Sequence, residues 1–539
     1  MKFMKKYFIL LFLFSCAFAK EVWVEGLNGI VFSDSEEKLK EVPDKFRGTG
    51  FYDLLIPDQI EFREKIRPFF GKPITAELLT EIKSLIVEYY RDHDYPIVAV
   101  LIPTGQDITH GVIRVLILVG KIGQIKAEGA RWISNEKIAE QLREKPGEII
   151  KESEILCDLD WINQNPFVTT DVIFEPGKNI SETDLILVTE DRFPLRVYSA
   201  YENTGNLVAG SSRFLAGFNF TNPVWWNHQL NGLFLSAPDF NEWWAVTGSY
   251  IIPTNWRQQL EIYGAFTRTR PDQQGLDLTG KGWQIAGRYT IPFCLWFFNN
   301  QAIIGYEFKR TNNFLNFAQT LIFDHYFDIS QFVFGFESSI EYEMGITSLG
   351  LFIYYSPGHM TSFNRNRDFQ RERNGAKAHY TYGKFRLDQA LEMPLDFSWI
   401  MNLSFQQSNH KLLPTEEFSL GGYFTVRGYD ENEVIGDNGL LIKNEIRTPK
   451  FTYKFSRRKL TQVLQFLIFL DFGVSYDVDQ NILSKNKTVL ASIGPGIRYT
   501  FHKNIIFRFD YGWQLHTIDR IVNDSNKHSR AHFGLTVSF

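Results

Sequence analysis

The chain has 539 residues and a formal net charge of −5, with an isoelectric point near 6.2; this gives no electrostatic case for a nucleic-acid partner. No stretch approaches the roughly 18 uninterrupted apolar residues of a membrane-spanning helix, so helical spans are excluded. Aromatic content is nevertheless 16%, with 49 Phe and 12 Trp, and mean hydropathy is −0.19. A transmembrane β-barrel reconciles the two, because alternate residues of each strand face lipid and a polar lumen.

Residues 1–19 read as a signal peptide. Lys2, Lys5 and Lys6 give the basic start, Tyr7 to Phe14 the apolar stretch, and Ala17 and Ala19 the small residues of a cleavage site. A lipoprotein signal ending at Cys16 is the rival, and the bulky Phe14 speaks against it. Either way the chain leaves the cytoplasm. Cys157 and Cys294 fall in different domains and read as two ordinary thiols, too few for a zinc site.

Two α+β units follow, over 20–120 and 121–191. In the first, strands are expected around Val22 to Phe32, Ile97 to Pro103 and Val112 to Val119. Between them Thr75 caps a helix with apolar positions at Leu78, Leu79, Ile82, Leu85, Ile86 and Tyr89. In the second, Ile122 to Glu128 reads as a strand, and Ser134 caps a helix. Glu152 to Asn163 is a further helix burying Ile155, Leu156, Leu159 and Ile162. Strands Val168 to Glu175 and Asp184 to Thr189 flank a turn at Pro176. The order of elements is that of one small module used twice.

From residue 192 to Phe539 the helical signal vanishes and period-two alternation takes over. Leu260, Ile262, Gly264 and Phe266 share one face, as do Phe533, Leu535, Val537 and Phe539. At about 20 residues per strand with its connections, about 16 antiparallel strands are predicted. Val463 to Val474 is the longest apolar stretch and reads as a strand plus part of its neighbour. The charged segment Asn364 to Asn374 reads as a solvated external loop, with lipopolysaccharide or a partner as lesser readings.

Several motifs in this order resemble the two-partner secretion transporters, outer-membrane barrels preceded by polypeptide-transport-associated (POTRA) domains. Gly71 to Thr75, Val87 to Arg91 and Pro96 to Val100 are similar to the first such domain. Asp160 to Phe167 and Pro176-Gly177 are similar to the second. Val426, Arg427, Gly428 and Tyr429 match the family's motif on the sixth extracellular loop. Phe469 to Gly473 match the strand motif whose acid faces that arginine. The resemblance implies an inward-folded loop over residues 419–445, with Arg427 clasped by Asp471, Gly473 in the facing motif and Glu445 as a second partner. It also implies a client surface at Asn163, Asn165, Pro166 and Phe167 of the second POTRA domain, and an insertion signal at Phe539. The chain departs from the family near Lys20, where no plug helix or linker precedes the first strand.

The function implied is ATP-independent export of an unfolded secreted partner through the barrel. An assembly factor for outer-membrane proteins, in the same superfamily, is the alternative. The implied location is the bacterial outer membrane with the POTRA domains in the periplasm, in contact with lipids, lipopolysaccharide and, during biogenesis, the barrel-assembly machinery. The 11 His are scattered, with no nucleophile elbow and no nucleotide-binding glycine loop. The expectation is therefore no catalytic centre, no metal and no cofactor.

Overall fold

A computed structural model of the chain describes residues 22–539 apart from 180, 206–209, 222–226, 271, 274–275, 296–297, 318–319, 456–459, 480–486 and 519–527. The expected signal peptide at 1–19 lies outside the described residues. Two compact units emerge, Met1–Asp191 and Arg192–Phe539.

The first module of the leading unit contains β1 (Gly29–Ser33), α1 (Glu36–Lys40), β2 (Gly48–Tyr52), α2 (Gln59–Ile66), α3 (Ala76–Asp92), β3 (Val98–Leu101) and β4 (Val112–Val119). Its sheet runs β2-β1-β4-β3, with β1 parallel to both neighbours. The start of α3 follows from Thr75, whose hydroxyl accepts the Leu78 N–H at 3.2 Å. Ile82, Ile86 and Tyr89 on one face of α3 pack with Phe32 and Phe62, each such burial contributing roughly 1.5–3 kcal/mol. The sequence reading omits α1, β2 and α2. They are too short to carry a periodic signal.

The second module holds β5 (Lys121–Glu128), α4 (Asn135–Ala139), α5 (Glu152–Asn163), β6 (Val168–Pro176) and β7 (Glu182–Asp191). Its sheet order is β5-β7-β6, so β6 keeps one edge open within it. The stripe on α5 follows Ile155, Leu159 and Ile162, with Trp161 also buried. Leu156, expected inside, is exposed, since it sits one residue off that stripe. Cys157 is disulfide-bonded. The ordinary thiol expected there is corrected, because distance along a chain says nothing about which thiols meet in space.

Among the described residues of the second unit, 16 antiparallel strands close into a barrel. Strand 1 is Leu195–Glu202, strand 7 Phe298–Phe317, strand 8 Thr320–Tyr342, strand 10 His379–Met393 and strand 11 Phe397–Ser408. Strand 12 is Asn438–Arg447, strand 13 Leu460–Tyr476, strand 14 Thr488–Phe501, strand 15 Ile505–Gln514 and strand 16 Ser529–Ser538. The cylinder closes where Gly534–Ser538 lies opposite Glu202–Tyr198. Beyond that pairing the Phe539 main chain exchanges bonds of 2.9 and 3.1 Å with Val197, and its ring is exposed. Strand 8 runs 23 residues, about 75 Å at ~3.3 Å per residue. It therefore extends far past an apolar band of about 25 Å, and spans of about ten residues describe only its membrane part.

Two expectations are corrected here. Strand 13 is one continuous strand rather than a strand plus a neighbour. Phe466, Ile468, Leu470 and Phe472 are exposed on its outer face, while Leu467 and Phe469 are buried on the lumenal one. It is apolar on both faces because something packs against it from within. The charged segment at 364–374 is solvated only in part, with Arg365, Arg367 and Arg371 exposed. Asn364, Asp368 and Phe369 are buried, and Phe369 joins Ile329, Tyr380, Tyr382, Leu412 and Leu413 in a core cluster. Composition cannot separate a solvated charged loop from one whose charges are paired inside a polar barrel.

Candidate functional site

The connection between strands 11 and 12 is the sixth extracellular loop of the barrel, and it folds inward. At its tip Arg427 is only 1% exposed. Its Nε and Nη2 donate to the two carboxylate oxygens of Asp471 at 2.7 and 2.8 Å, and its main-chain N–H reaches Asp471 at 3.1 Å. Nη1 donates to Glu445 at 2.6 Å, and Asp510 on strand 15 stands 3.7 Å away. The Phe469 ring lies beneath the guanidinium, 3.7 Å from centroid to carbon. A bidentate pair with a cation–π floor fixes the plane of the guanidinium as well as its position.

Each carboxylate of that cluster has a guanidinium partner. Arg447 donates twice to Glu445, at 2.6 and 2.9 Å, and Arg498 twice to Asp510, at 2.8 and 3.0 Å. Three guanidinium groups thus face three carboxylates on strands 12 to 15 and the loop. A buried charge is tolerable only when paired in this way.

The glycines of the two motifs have separate reasons. Gly428 has φ of +89°, and a Cβ there would lie 2.8 Å from the Gly512 carbonyl oxygen. Its N–H donates to His532 at 3.0 Å. A Cβ on Gly473 would lie 2.9 Å from Leu420 and 3.0 Å from Val426, so Gly473 makes room for the loop. Val426 and Tyr429 are wholly buried, beside Leu420, Leu441 and Leu490. The Tyr429 hydroxyl donates to the carbonyls of Ala491, at 3.0 Å, and His516. All seven residues singled out in the loop and its wall therefore come together.

The proposed client residues divide. Asn163 and Asn165 work on their own backbone: Asn163 accepts from the Thr170 N–H at 2.7 Å and Asn165 from the Phe167 N–H at 3.0 Å. Asn165 and Phe167 are buried, which makes them parts of the turn from α5 into β6. Asn163 and Pro166 are exposed.

Other residues of the site escape the sequence reading. Lys443 donates to the carbonyls of Tyr423 and Phe424, each at 3.2 Å, and Arg508 stacks 3.8 Å over Tyr423. Arg530 pairs with Asp430. Arg373, in the segment at 364–374, binds Glu417 at 2.6 Å, Asp477 at 2.7 Å and also Asp437. These three carboxylates are close enough together to hold a cation, and the guanidinium occupies that role. Polar residues at lumenal parity are common to any barrel, so period two alone does not mark them.

A closed barrel with a long loop folded into it, preceded by two small α+β modules, has the architecture of an outer-membrane protein translocator. Residues 181–499 match the family described as haemolysin secretion/activation protein ShlB/FhaC/HecB, and the chain belongs to that family. It is 22% identical over 452 residues to the heme/hemopexin transporter protein HuxB of Haemophilus influenzae (strain 86-028NP), covering 82% of this chain and 78% of that protein. It is 20% identical over 413 residues to the outer membrane transporter CdiB of Escherichia coli O6:K15:H31 (strain 536 / UPEC), covering 72% and 66%. The fold is that of CdiB from Escherichia coli, with a TM-score of 0.75 at 16% identity over 95% of this chain and 91% of that one. CdiB from Acinetobacter baumannii follows at a TM-score of 0.66 and 16% identity, over 95% and 90%. The protein is a two-partner secretion translocator of the outer membrane, with its N-terminal modules in the periplasm. Family membership favours that role over an assembly factor.

Proposed function

We propose that the second periplasmic module captures the unfolded secreted partner along the open edge of β6, and that the clasp at Arg427 holds the sixth loop across the lumen until the client arrives. An open strand edge pairs with many sequences through main-chain bonds, and neighbouring side chains add selectivity. The exposed Ile173 and Phe174 on β6, and Leu156 on α5, supply such apolar contacts. The burial of Arg427 among three carboxylates is the observation that carries the gating half. A cavity of about 420 Å³ remains inside the barrel, lined by Asn231, Ser249, Glu261, Tyr263, Gln284 and Arg288 among others. The polar side chains on this mixed wall offer partners to an extended backbone without a strong preference for any side chain. No nucleotide is needed, and folding of the client outside supplies the drive. Phe539, exposed at the closing strand, is the residue we assign to recognition by the barrel-assembly machinery.

The test is a photo-cross-linking residue placed at Pro166 or Ile173, with Ile60 of the first module as the control. Client stalled during export is expected to cross-link at the first two and not at the third. Cross-links of equal yield at Ile60 would remove the β6 assignment.

A further inference from the structure

The sixth loop is fastened at a second place, on a different arc of the wall. Glu416, near its start, is 3% exposed. Its carboxylate accepts from Lys309 of strand 7 at 2.7 Å, Gln331 of strand 8 at 3.0 Å and Tyr382 of strand 10 at 2.6 Å. The Glu416 carbonyl accepts from Gln406 of strand 11 at 2.9 Å. Each donor has its own support. Lys309 is also 3.5 Å from Glu307, which binds Arg288 at 2.6 Å and Gln331 at 3.1 Å. Tyr380 donates to Gln331 at 2.9 Å. Leu412 and Leu413, just before Glu416, are buried against Phe369, and Arg373 donates to the Leu412 carbonyl at 2.7 Å.

The two fastenings share no residue. Arg427 holds the tip to strands 12, 13 and 15, and Glu416 holds the near arm to strands 7, 8 and 10. A loop fixed at both places is a crossbar, and releasing one end leaves the other in the lumen. We infer that Glu416 and Lys309 form a second latch, and that full opening of the channel requires both latches to release. Glu416 is a positioning residue here, not a contact for the client. The inference rests on the reading of the sixth loop as the resting seal, and the experiment separates the two.

The experiment uses the full chain in planar bilayers, in four forms: unaltered, Glu416→Ala, Arg427→Ala and the double variant. Shifted migration of the unheated protein on gels confirms a closed barrel in each. The readout beyond conductance is labelling of Leu413→Cys by a membrane-impermeant maleimide added from the loop side. The double variant is expected to show open-channel occupancy on the order of tenfold or more above either single variant, because each single variant keeps the fastening that the other removes. Labelling at position 413 is expected to rise with Glu416→Ala and to stay low with Arg427→Ala alone. If Arg427→Ala alone reaches the double variant's occupancy and labelling, the second latch is overturned while the first stands. If Glu416→Ala opens the channel and Arg427→Ala is silent in both backgrounds, the latch at Glu416 stands and the clasp at Arg427 loses its gating role. Silence of Glu416→Ala in both backgrounds overturns the inference.

Discussion

Replacing Asp471 by Asn tests the clasp with the smallest change of shape. At 2.7 Å and an effective dielectric constant of about 20, the pair attracts by about 6 kcal/mol before desolvation is counted. Removing one partner of a buried pair costs about 3–5 kcal/mol. The lower end applies, because Glu445 remains 2.6 Å from the guanidinium and the charge is not abandoned. A loss of about 3 kcal/mol lowers the ratio of docked to undocked loop roughly 150-fold. Two measurements report that ratio: the closed dwell time of single channels, and the labelling rate of a cysteine at Val426, which is fully buried when docked. Shorter closed times and faster labelling are expected in Asp471→Asn. If both stay within about twofold of the unaltered protein, the clasp does not hold the loop.

Exchanging the charges as Arg427→Asp with Asp471→Arg is expected to leave export impaired, because it takes away the guanidinium that stands 2.6 Å from Glu445 and 3.7 Å from Asp510 and puts a further negative charge on the loop beside them. Recovery of secretion by the exchanged pair would mean that Asp471 is the only partner that matters. Gly428→Ala is expected to undock the tip without touching a charge, since its Cβ would meet Gly512 at a positive φ; the same labelling assay reads it, and a rate equal to the unaltered protein would refute the close approach. In the second module, burial first and the Asp158 charge second push the Glu144 carboxyl up to about 7. The folded state therefore binds this proton more tightly than the unfolded one, and its stability falls as pH rises from about 4.5 through 7. Glu144→Gln is expected to raise the melting temperature of the periplasmic unit at pH 8 and leave it unchanged at pH 4, as read by calorimetry of the full chain. An equal gain at both pH values would refute the assignment.

What the sequence discloses and what it conceals follow from the kinds of signal that survive in one dimension. α3 is legible because 17 residues give the helical period several turns and Thr75 marks its start. Arg427 and Asp471 are legible because each sits in a short motif whose glycine is explained by a contact, Gly428 against Gly512 and Gly473 against Val426. Asp510 and Arg498 complete the same network but carry only the signature of a lumenal position, which every barrel strand repeats. Arg373 and Glu416 are harder still, since their surroundings in sequence match those of a solvated loop, and only tertiary pairing turns such charges into fastenings.

One trace of the inward loop was nevertheless present in the sequence. An ordinary barrel strand is apolar at one parity, yet in strand 13 Leu467 and Phe469 are as apolar as Phe466 and Leu470. Water inside a channel would penalise that second row by about 25 cal/mol for each Å² of exposed apolar surface, so a doubly apolar strand implies a lid on its lumenal side. Phe469 is 1% exposed with a guanidinium across its face, and the lid is the sixth loop. The same inference runs forward to its removal. A loop held away from the wall uncovers Phe469 to the channel, so the undocked state carries an apolar cost besides the broken ion pairs. Partial release of the clasp is therefore opposed by two forces of different origin, one that salt weakens by stabilising the charges as they separate and become exposed, and one that it does not. Closed times in Asp471→Asn are expected to depend less on ionic strength than those of the unaltered protein, because the screened part has been reduced and the apolar part remains. An unchanged salt dependence would place the holding force elsewhere than in the ion pair.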